Sequence, residues 1–187
     1  MKQKLFKNRT EWREWLEKHH EVEKELWLIY YKKHCGKESI QYEEAVEEAL
    51  CYGWIDSKVK RIDDERYLQR YTPRKSKSNW SKSNKRRVEK LIDNDQMTKA
   101  GLSVINAAKQ DGSWEILDDI ETGAVIPDDL AEAFVKNPIA MKFFNSLSPS
   151  HQKQYLWWLK SAKKSETRNN RLLSIIERCE RGVKPGN

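Results

Sequence analysis

Residues 42–56, with the sequence YEEAVEEALCYGWID, decide the fold of the chain around them. Within residues 42–50 the apolar side chains recur at intervals of three and four, which is the spacing of one face of an amphipathic helix. Gly53 follows the last apolar turn and suits the end of a helix, because glycine readily adopts a left-handed backbone. Residues 55–62 and 66–72 are rich in β-branched and aromatic types on either side of a short acidic loop, and they predict a β-hairpin.

The chain before this stretch predicts one more helix and one more buried segment. Trp12, Leu16 and His19 fall on one helical face, and Asn8 precedes them at the position of a cap. Leu26–Tyr31 is a continuous apolar run. Such a run fits a strand buried on both faces, although a short buried helix has the same signature. The N-terminal part is therefore expected to combine a small antiparallel sheet with helices.

The chain after the hairpin predicts helices alone. Two are expected at about residues 79–93 and 98–110. Three later helix starts, each with a capping residue, are expected at Asn137-Pro138, Ser148-Pro149 and Ser165-Glu166. The short connections between these later helices imply a small antiparallel bundle.

The distribution of charge predicts a domain boundary. Residues 66–87 hold nine basic side chains and no acid, whereas residues 111–135 hold eight acids and no base. An acidic stretch between two basic ones marks a linker. We predict an α+β fold in which residues 1–115 form an α+β domain, residues 116–126 an acidic linker and residues 127–187 a small helical bundle.

Composition excludes several classes of protein. The 187 residues are 35% charged and have a mean hydropathy of −0.94, and the sequence contains no apolar run long enough to cross a membrane. The N-terminal sequence has no apolar segment typical of a secretory signal, and three irregularly spaced cysteines do not suggest a disulfide framework. A cytoplasmic protein without membrane insertion is therefore expected.

The basic segment at residues 66–87 is the strongest candidate for binding an anion. It interleaves cations with the rings of Tyr71 and Trp80, and this combination is typical of single-stranded nucleic-acid binding. The alternative is a solvated face whose charges pair with the acids of residues 111–135. The candidate cations are Arg70, Arg74, Lys82 and Arg86.

The corner between the predicted helix and hairpin is a second candidate site. Asp56 follows Trp54 at the start of a strand, where a carboxylate can anchor a ligand or act as a base. The alternative is a salt bridge or a cap that holds the corner. Structural ion pairs are commoner than catalytic carboxylates.

The helical part contains a third candidate, an aromatic pocket rimmed by cations. His151, Tyr155 and Trp158 fall on successive turns of one predicted helix. Their rings suit an anionic or aromatic ligand, but aromatic residues at helical spacing more often pack a core. The cations expected at the rim are Lys163, Arg168 and Arg171.

The sequence contains no pattern that predicts a cofactor, a metal or a catalytic residue. The glycine-rich and nucleophile motifs of nucleotide-binding proteins and hydrolases are absent. His34 and Cys35 have no partner at metal-ligand spacing, and Cys51 and Cys179 fall on apolar faces. No cofactor and no metal site are therefore expected.

Several of these segments together resemble one bacterial family. Ala49–Asp56 and Tyr71–Arg74, followed by Leu147–His151 and Glu166–Arg168, are similar to the YdeI/OmpD-associated family, also described as bacteriocin-protection proteins. The resemblance extends over roughly residues 10–182. It implies an α+β domain followed by a small helical domain, in a bacterial cytosolic protein linked to stress response or bacteriocin tolerance. It implies no cofactor and no defined reaction.

The residues and the resemblance together favour a non-enzymatic binding protein. Its partner would be anionic, a nucleic acid or a phosphate-bearing ligand, held in a groove between the two parts, with Trp54, Tyr71 and Trp80 as stacking surfaces. One alternative is a small-ligand-binding protein or enzyme that uses Trp54 and Asp56. A further alternative is a protein–protein adaptor built on exposed tryptophans. The sequence leaves the oligomeric state open.

Overall fold

In a computed structural model of the protein, a four-stranded sheet with helices is followed along the chain by a group of helices. The structure describes residues 1–118 and 125–186. The predicted α+β class is confirmed. The chain divides into two compact units, residues 1–115 and residues 116–187. Six residues of the predicted acidic linker, 119–124, lie outside the described residues, so the linker stays a prediction.

The helices and strands are numbered here in chain order within the described residues. They are β1 (Gln3–Leu5), α1 (Arg9–His19), β2 (Leu26–Tyr31), α2 (Tyr42–Cys51), β3 (Trp54–Arg61), β4 (Arg66–Pro73), α3 (Lys82–Asp93), α4 (Lys99–Gln110), α5 (Asp128–Lys136), α6 (Pro138–Ser146), α7 (Pro149–Lys160) and α8 (Ser165–Glu180). A short 3₁₀ turn, Lys33–Cys35, follows β2.

The sheet has the strand order β1-β2-β4-β3. Strands β3 and β4 form the predicted hairpin, and β2 pairs antiparallel with β4, so the Leu26–Tyr31 run is a strand rather than a helix. A register shift between Asp56 and Val59 interrupts the hairpin. The sequence did not predict β1, which pairs parallel with β2 and makes the sheet mixed rather than purely antiparallel.

The core of the first unit lies between one face of the sheet and the helices. Leu26, Leu28 and Tyr30 alternate along β2 and are all buried against this core, as expected of side chains two residues apart in a strand. The α1 rings of Trp12 and Trp15 stack on each other with centroids 5.3 Å apart. Trp12 also meets the ring of Tyr71 on β4, with centroids 5.6 Å apart, so aromatic packing holds α1 against the sheet.

Two glycines allow α4 to approach the end of α2. Gly53 has φ +72°, and a Cβ added there would lie 2.7 Å from Cγ2 of Val104. A Cβ on Gly101 would lie 2.4 Å from the carbonyl oxygen of Cys51. Larger residues at either position would force the helix away from the corner between α2 and β3.

A buried ion-pair network joins α1 to α2. Glu48 is 1% exposed and pairs with both Arg9 and Arg13, while Glu47 pairs with Arg9 and with Lys90 of α3. Charged groups are tolerated in such positions only when they are paired, so these contacts fix three helices relative to one another.

The second unit consists of α5 to α8 around their own core. Helices begin at Pro138 and Pro149 as predicted, although Asn137 makes no side-chain capping hydrogen bond. The last helix begins at Ser165 itself, so Lys164 and not the predicted Ser165 is at its N-cap. The side chain of Ser148 caps α7 by accepting the amide of His151. Phe134, Phe144 and other apolar side chains fill the core.

One helix boundary differs from the sequence prediction. The helix expected from about residue 79 begins at Lys82, because the side chain of Ser81 accepts the amide of Asn84 and so caps it there. Residues 74–80 therefore form a connection that leads from β4 to α3. Within the described residues, no helix is both long and apolar enough to cross a membrane.

Candidate functional site

A groove of about 800 Å³ lies in the first unit beside the ends of β2 and α2. It is formed where β2 ends at Tyr31, β4 begins near Tyr67 and α2 begins at Tyr42, so one corner of the fold supplies all its walls. It has a larger volume than the two other concavities that are described below. Its main lining residues are Lys7, Tyr30, Tyr31, Lys32, Lys33, Lys37, Glu38, Gln41, Tyr42, Glu44 and Tyr67; we call it the tyrosine–lysine groove.

Four lysines give the tyrosine–lysine groove a positive charge. Lys37 pairs with Glu65 at 2.6 Å, and Lys32 donates to the carbonyl of Asp63 at 3.3 Å. Within residues 1–118 and 125–186, the ammonium groups of Lys7 and Lys33 have no ion-pair partner and are exposed. The two acids of the lining, Glu38 and Glu44, leave an excess of basic groups.

Tyrosine rings form the aromatic part of the same groove. The ring of Tyr67 is half-buried and stacks on Tyr30 with centroids 5.0 Å apart and planes inclined by 10°. The ammonium of Lys37 lies 5.4 Å from the ring centroid of Tyr31. Cations and rings are therefore interleaved, as in proteins that bind phosphates and stack bases.

Hydrogen bonds beneath the groove hold the tyrosine hydroxyls in place. The hydroxyls of Tyr30 and Tyr71 lie 2.9 Å apart, and Tyr42 donates to Asp56 at 2.8 Å. Burial, together with the charge of Asp56, raises the pKa of Tyr42 to about 12, and burial also raises the pKa of Tyr67. Both phenols are therefore neutral near pH 7, and an uncharged ring does not repel an anion.

Lysine ammonium groups and tyrosine phenols are prominent among the polar groups that line the groove. Its lining residues include neither histidine nor cysteine. Among the described residues, no three His, Cys, Asp or Glu side chains gather in an arrangement that would hold a metal ion. Ammonium groups and neutral phenols together suit a ligand that carries both phosphate and a flat ring.

The three rings predicted as stacking surfaces are buried in the core of the first unit. Trp54 is 1% exposed and its indole donates to the carbonyl of His20 at 3.1 Å. Tyr71 and Trp80 are also buried. In this conformation none of the three offers a ring face to a ligand in solvent.

The Trp54/Asp56 corner is occupied by structural contacts. The carboxylate of Asp56 is half-buried and accepts hydrogen bonds from Tyr42 and from the amide of Gln69, the latter at 3.0 Å. The concavities described here are not lined by Trp54 or Asp56. The carboxylate thus joins α2 to the hairpin through side-chain hydrogen bonds, and the predicted ligand site at this corner stays a prediction.

None of the predicted cations of residues 66–87 lines the tyrosine–lysine groove. Arg70 pairs with Glu25, while Lys82 and Arg86 are exposed on α3. Arg74 alone lies against a predicted ring, with its guanidinium carbon 3.6 Å from the ring centroid of Trp80. The acids paired with Arg66, Arg70 and Arg87 are Asp63, Glu25 and Glu43, none of which belongs to residues 111–135.

The predicted residues of the second unit are divided between its core and its surface. Tyr155 is buried and donates to the carbonyl of Val183 at 2.7 Å, and with Trp158 it lines a cavity of about 340 Å³. Arg171 lies over Trp158, 5.6 Å from the ring centroid, and donates to the Trp158 carbonyl. Arg168 pairs with Asp129 at 2.7 Å.

His151 and Lys163 lie apart from that cavity's lining. The Nδ1 of His151 is 3.0 Å from the hydroxyl of Ser148 at the start of α7, and Lys163 is exposed. The groove predicted between the two parts of the chain needs residues of both units, and it stays a prediction.

Sequence reasoning missed the cations of the tyrosine–lysine groove. Lys32 and Lys33 directly follow Tyr30 and Tyr31, so the sequence does place two rings beside two cations. This signal covers only four residues, whereas the basic segment at residues 66–87 contains nine cations. Lys7 and Tyr67 join it only through the fold, because β2 pairs with β4 and the connection from β1 passes the same corner.

Two family models match the chain. One, described as a domain of unknown function (DUF8412), matches residues 4–104, and the other, described as "Bacteriocin-protection, YdeI or OmpD-Associated", matches residues 123–182. The second match confirms the resemblance inferred from the sequence over residues 123–182, whereas the first block quoted for that resemblance lies in the stretch that DUF8412 matches. Searches of curated proteins and of solved structures gave no match. Since the first model covers more than half of the sequence, the chain belongs to the DUF8412 family, and its C-terminal part carries the YdeI/OmpD-associated region.

Proposed function

We propose that the protein is a binding protein for a phosphate-bearing ligand with flat rings, and that a short single strand of nucleic acid occupies the tyrosine–lysine groove. The observation that carries this proposal is the convergence of four lysines on the stacked pair Tyr30 and Tyr67. Ammonium groups neutralise phosphates, and tyrosine rings give bases a surface on which to stack.

The volume of the groove supports this class of ligand. Pockets for small molecules typically measure about 300–1,000 Å³, and the groove has about 800 Å³. Two of its lining lysines, Lys7 and Lys33, are exposed to solvent. A strand can therefore place one or two nucleotides inside and extend its backbone past these cations.

The experiment is fluorescence polarisation with a labelled single-stranded oligonucleotide across a salt series. The test variant combines Lys32→Gln and Lys33→Gln. The matched control combines Lys58→Gln and Lys60→Gln, which removes the same charge from exposed positions of β3 outside the groove. We expect the test variant to bind more weakly and its log-affinity slope against log salt to be smaller by about 1.4, since each phosphate contact on a single strand contributes about 0.7.

The control variant is expected to keep nearly the wild-type affinity and slope. Equal weakening of both variants would mean that binding depends on total charge and not on the groove. Absence of binding by the wild-type protein at low salt would refute the proposal.

The name of the second family suggests the biological setting. We propose, from that name, that the chain contributes to bacteriocin tolerance and that the groove takes part. A strain that lacks the gene should lose survival under bacteriocin challenge, and the wild-type gene should restore it. The proposal predicts that the Lys32→Gln/Lys33→Gln gene restores less survival than the Lys58→Gln/Lys60→Gln gene at equal protein level.

A further inference from the structure

A second concavity of the first unit, about 200 Å³ in volume, lies between the connection at residues 74–80 and helix α4. Arg74, Ser78 and Trp80 line one side, and Ser103 and Ala107 belong to the other. It shares no lining residue with the tyrosine–lysine groove. We call it the Arg74 cleft.

The guanidinium of Arg74 is fixed in place but only partly satisfied. It stacks on the ring of Trp80, and its Nη2 donates to the carbonyl of Asn79. Its backbone amide donates to the carbonyl of Gly53 at 2.8 Å, which anchors the residue at the end of β4. Its Nε and Nη1 are buried and have no hydrogen-bond partner among the described residues.

A buried guanidinium in which two nitrogens have no hydrogen-bond acceptor is energetically unfavourable when no ligand is bound. Burial disfavours the charged form and lowers the pKa of Arg74 to about 10, which the charge of Asp56 only partly offsets. Within residues 1–118 and 125–186, no carboxylate forms an ion pair with Arg74. Buried charges in proteins are normally paired, so this site lacks a negative partner.

The hydroxyl of Ser78 adds a third empty donor to the same cleft. It too is buried without a hydrogen-bond partner among the described residues. Two further cations, Lys75 and Lys77, line the cleft and are exposed. The lining contains one acid, Asp111, whose pKa is lowered because the hydroxyl and amide of Ser113 bind its carboxylate.

We propose that the Arg74 cleft is a binding site for a compact oxyanion, a phosphate or carboxylate group that accepts from an empty N–H of the Arg74 guanidinium and from the hydroxyl of Ser78. The Nε–H and Nη1–H bonds leave the guanidinium in different directions, so one such group engages one of them, and the charge of the guanidinium strengthens that hydrogen bond. The cleft is smaller than the roughly 300 Å³ at which pockets for drug-sized molecules begin, so it suits a single anionic group.

Anion entry requires a small movement of the connection. The three donors have almost no surface in contact with water, so residues 75–78 must shift outward before an oxygen reaches them. Residues 75–77 are exposed, and their outward shift breaks the hydrogen bond between the Lys77 amide and the Asp111 carboxylate. Exposed loops open at low free-energy cost.

The test is isothermal titration of the full chain with inorganic phosphate and, separately, with acetate as the carboxylate probe. The informative variant is Ser78→Ala, and the matched control is Ser76→Ala in the same connection, where the side chain is exposed. We expect Ser78→Ala to weaken anion binding about threefold to tenfold, the loss of one hydrogen bond, and Ser76→Ala to leave it unchanged. Arg74→Gln should weaken it at least about tenfold, because a charge-assisted pair is removed.

Stability separates this proposal from a purely structural role of the two residues. In the absence of anion, Ser78→Ala should not lower the melting temperature, because its hydroxyl has no partner to lose. Saturating phosphate should raise the melting temperature of the wild type and of Ser76→Ala more than that of Ser78→Ala.

Equal anion affinity of the wild type, Ser78→Ala and a folded Arg74→Gln would overturn the proposal, as would no measurable binding of either anion. The Lys32→Gln/Lys33→Gln variant should bind inorganic phosphate at the cleft as the wild type does. The cleft and the tyrosine–lysine groove can therefore fail independently.

Discussion

The ring of Tyr67 lines the tyrosine–lysine groove and is supported by the ring of Tyr30. Tyr30 stacks beneath it and is itself held by the hydroxyl of Tyr71, so the upper ring does not need to be ordered when a ligand arrives. A rigid ring loses little conformational entropy on binding, which favours affinity.

The ring of Tyr67, and not its hydroxyl, should therefore matter for binding. We expect Tyr67→Ala to weaken oligonucleotide binding by about 1–3 kcal/mol, the usual contribution of one base-stacking ring, and Tyr67→Phe to retain most of the affinity. Fluorescence polarisation at fixed salt measures both. If the two variants lose affinity equally, the hydroxyl makes the contact and the stacking argument is wrong.

Gly53 is a position where backbone conformation and close packing coincide. We expect Gly53→Ala to lower the free energy of unfolding by at least about 2 kcal/mol, because a Cβ would both strain the left-handed backbone and meet Val104. Gly36→Ala is the control: its φ is +61° but a Cβ there would have no neighbour within 4 Å, so the expected cost is about 1 kcal/mol. Chemical denaturation measures both values, and equal costs would mean that contact with α4 does not matter.

At the scale of elements, the contact between α1 and α2 depends on Glu48. Its carboxylate is buried between Arg9 and Arg13, so neutralising it removes a charged partner from Arg13 and leaves Arg9 with Glu47 alone. We expect Glu48→Gln to destabilise the first unit by about 1–3 kcal/mol, because both guanidinium groups remain partly solvated. Glu14→Gln, at an exposed position of α1, should change the free energy of unfolding by less than about 0.5 kcal/mol. A comparably small effect of Glu48→Gln in urea denaturation would contradict this role.

Helices α5 and α8 are joined by the ion pair between Asp129 and Arg168. The guanidinium of Arg168 lowers the pKa of Asp129 below its ordinary value of 3.8. The pair therefore stabilises the fold above about pH 4, and this contribution is lost as the pH falls through the lower folded-state pKa.

Asp129→Asn should thus be less stable than the wild type at pH 7, and the difference should shrink in acid. Arg168→Gln, which removes the other partner of the pair, should show the same pH-dependent difference. Urea denaturation at pH 7 and at about pH 2.5 measures it. A stability difference that stays constant between the two pH values would show that the pair does not contribute.

The elements that sequence predicted correctly are those with long periodic or capped signals. The α2 helix with Gly53, the Leu26–Tyr31 strand and the Pro138 and Pro149 starts all carry such local signals. β1 has only three residues, too few to show a period, and it forms because β2 lies beside it. Burial of Trp54, Tyr71 and Trp80 is likewise set by the packing of whole elements, so the predicted stacking surfaces could not be distinguished from core rings by sequence.

At the scale of the whole molecule, the strongest charge signal in the sequence did not locate the groove. Three arginines of the basic run are paired with acids of the first unit itself. The groove instead takes its cations from segments around residues 7 and 32–37, which contribute little to the charge pattern along the chain. Spatial clustering, unlike a run in sequence, needs the fold.

The first unit should fold and bind without the second. It has its own core and contains every lining residue of the tyrosine–lysine groove. We expect a fragment of residues 1–115 to unfold cooperatively in circular dichroism and to bind the oligonucleotide with an affinity within about threefold of the full chain. A folded fragment without affinity would show that the second unit contributes to the site.

The two outer edges of the sheet have a consequence for concentrated solutions. The edge strand β1 offers only three residues, and the other edge, β3, carries exposed Lys58 within its register shift and exposed Lys60 and Arg61 beyond it. A strand from another copy would meet either too short a template or a kinked row of like charges. The addition of strands from other copies of the protein, which is the first step toward fibrils, is therefore unfavourable at both edges of the sheet.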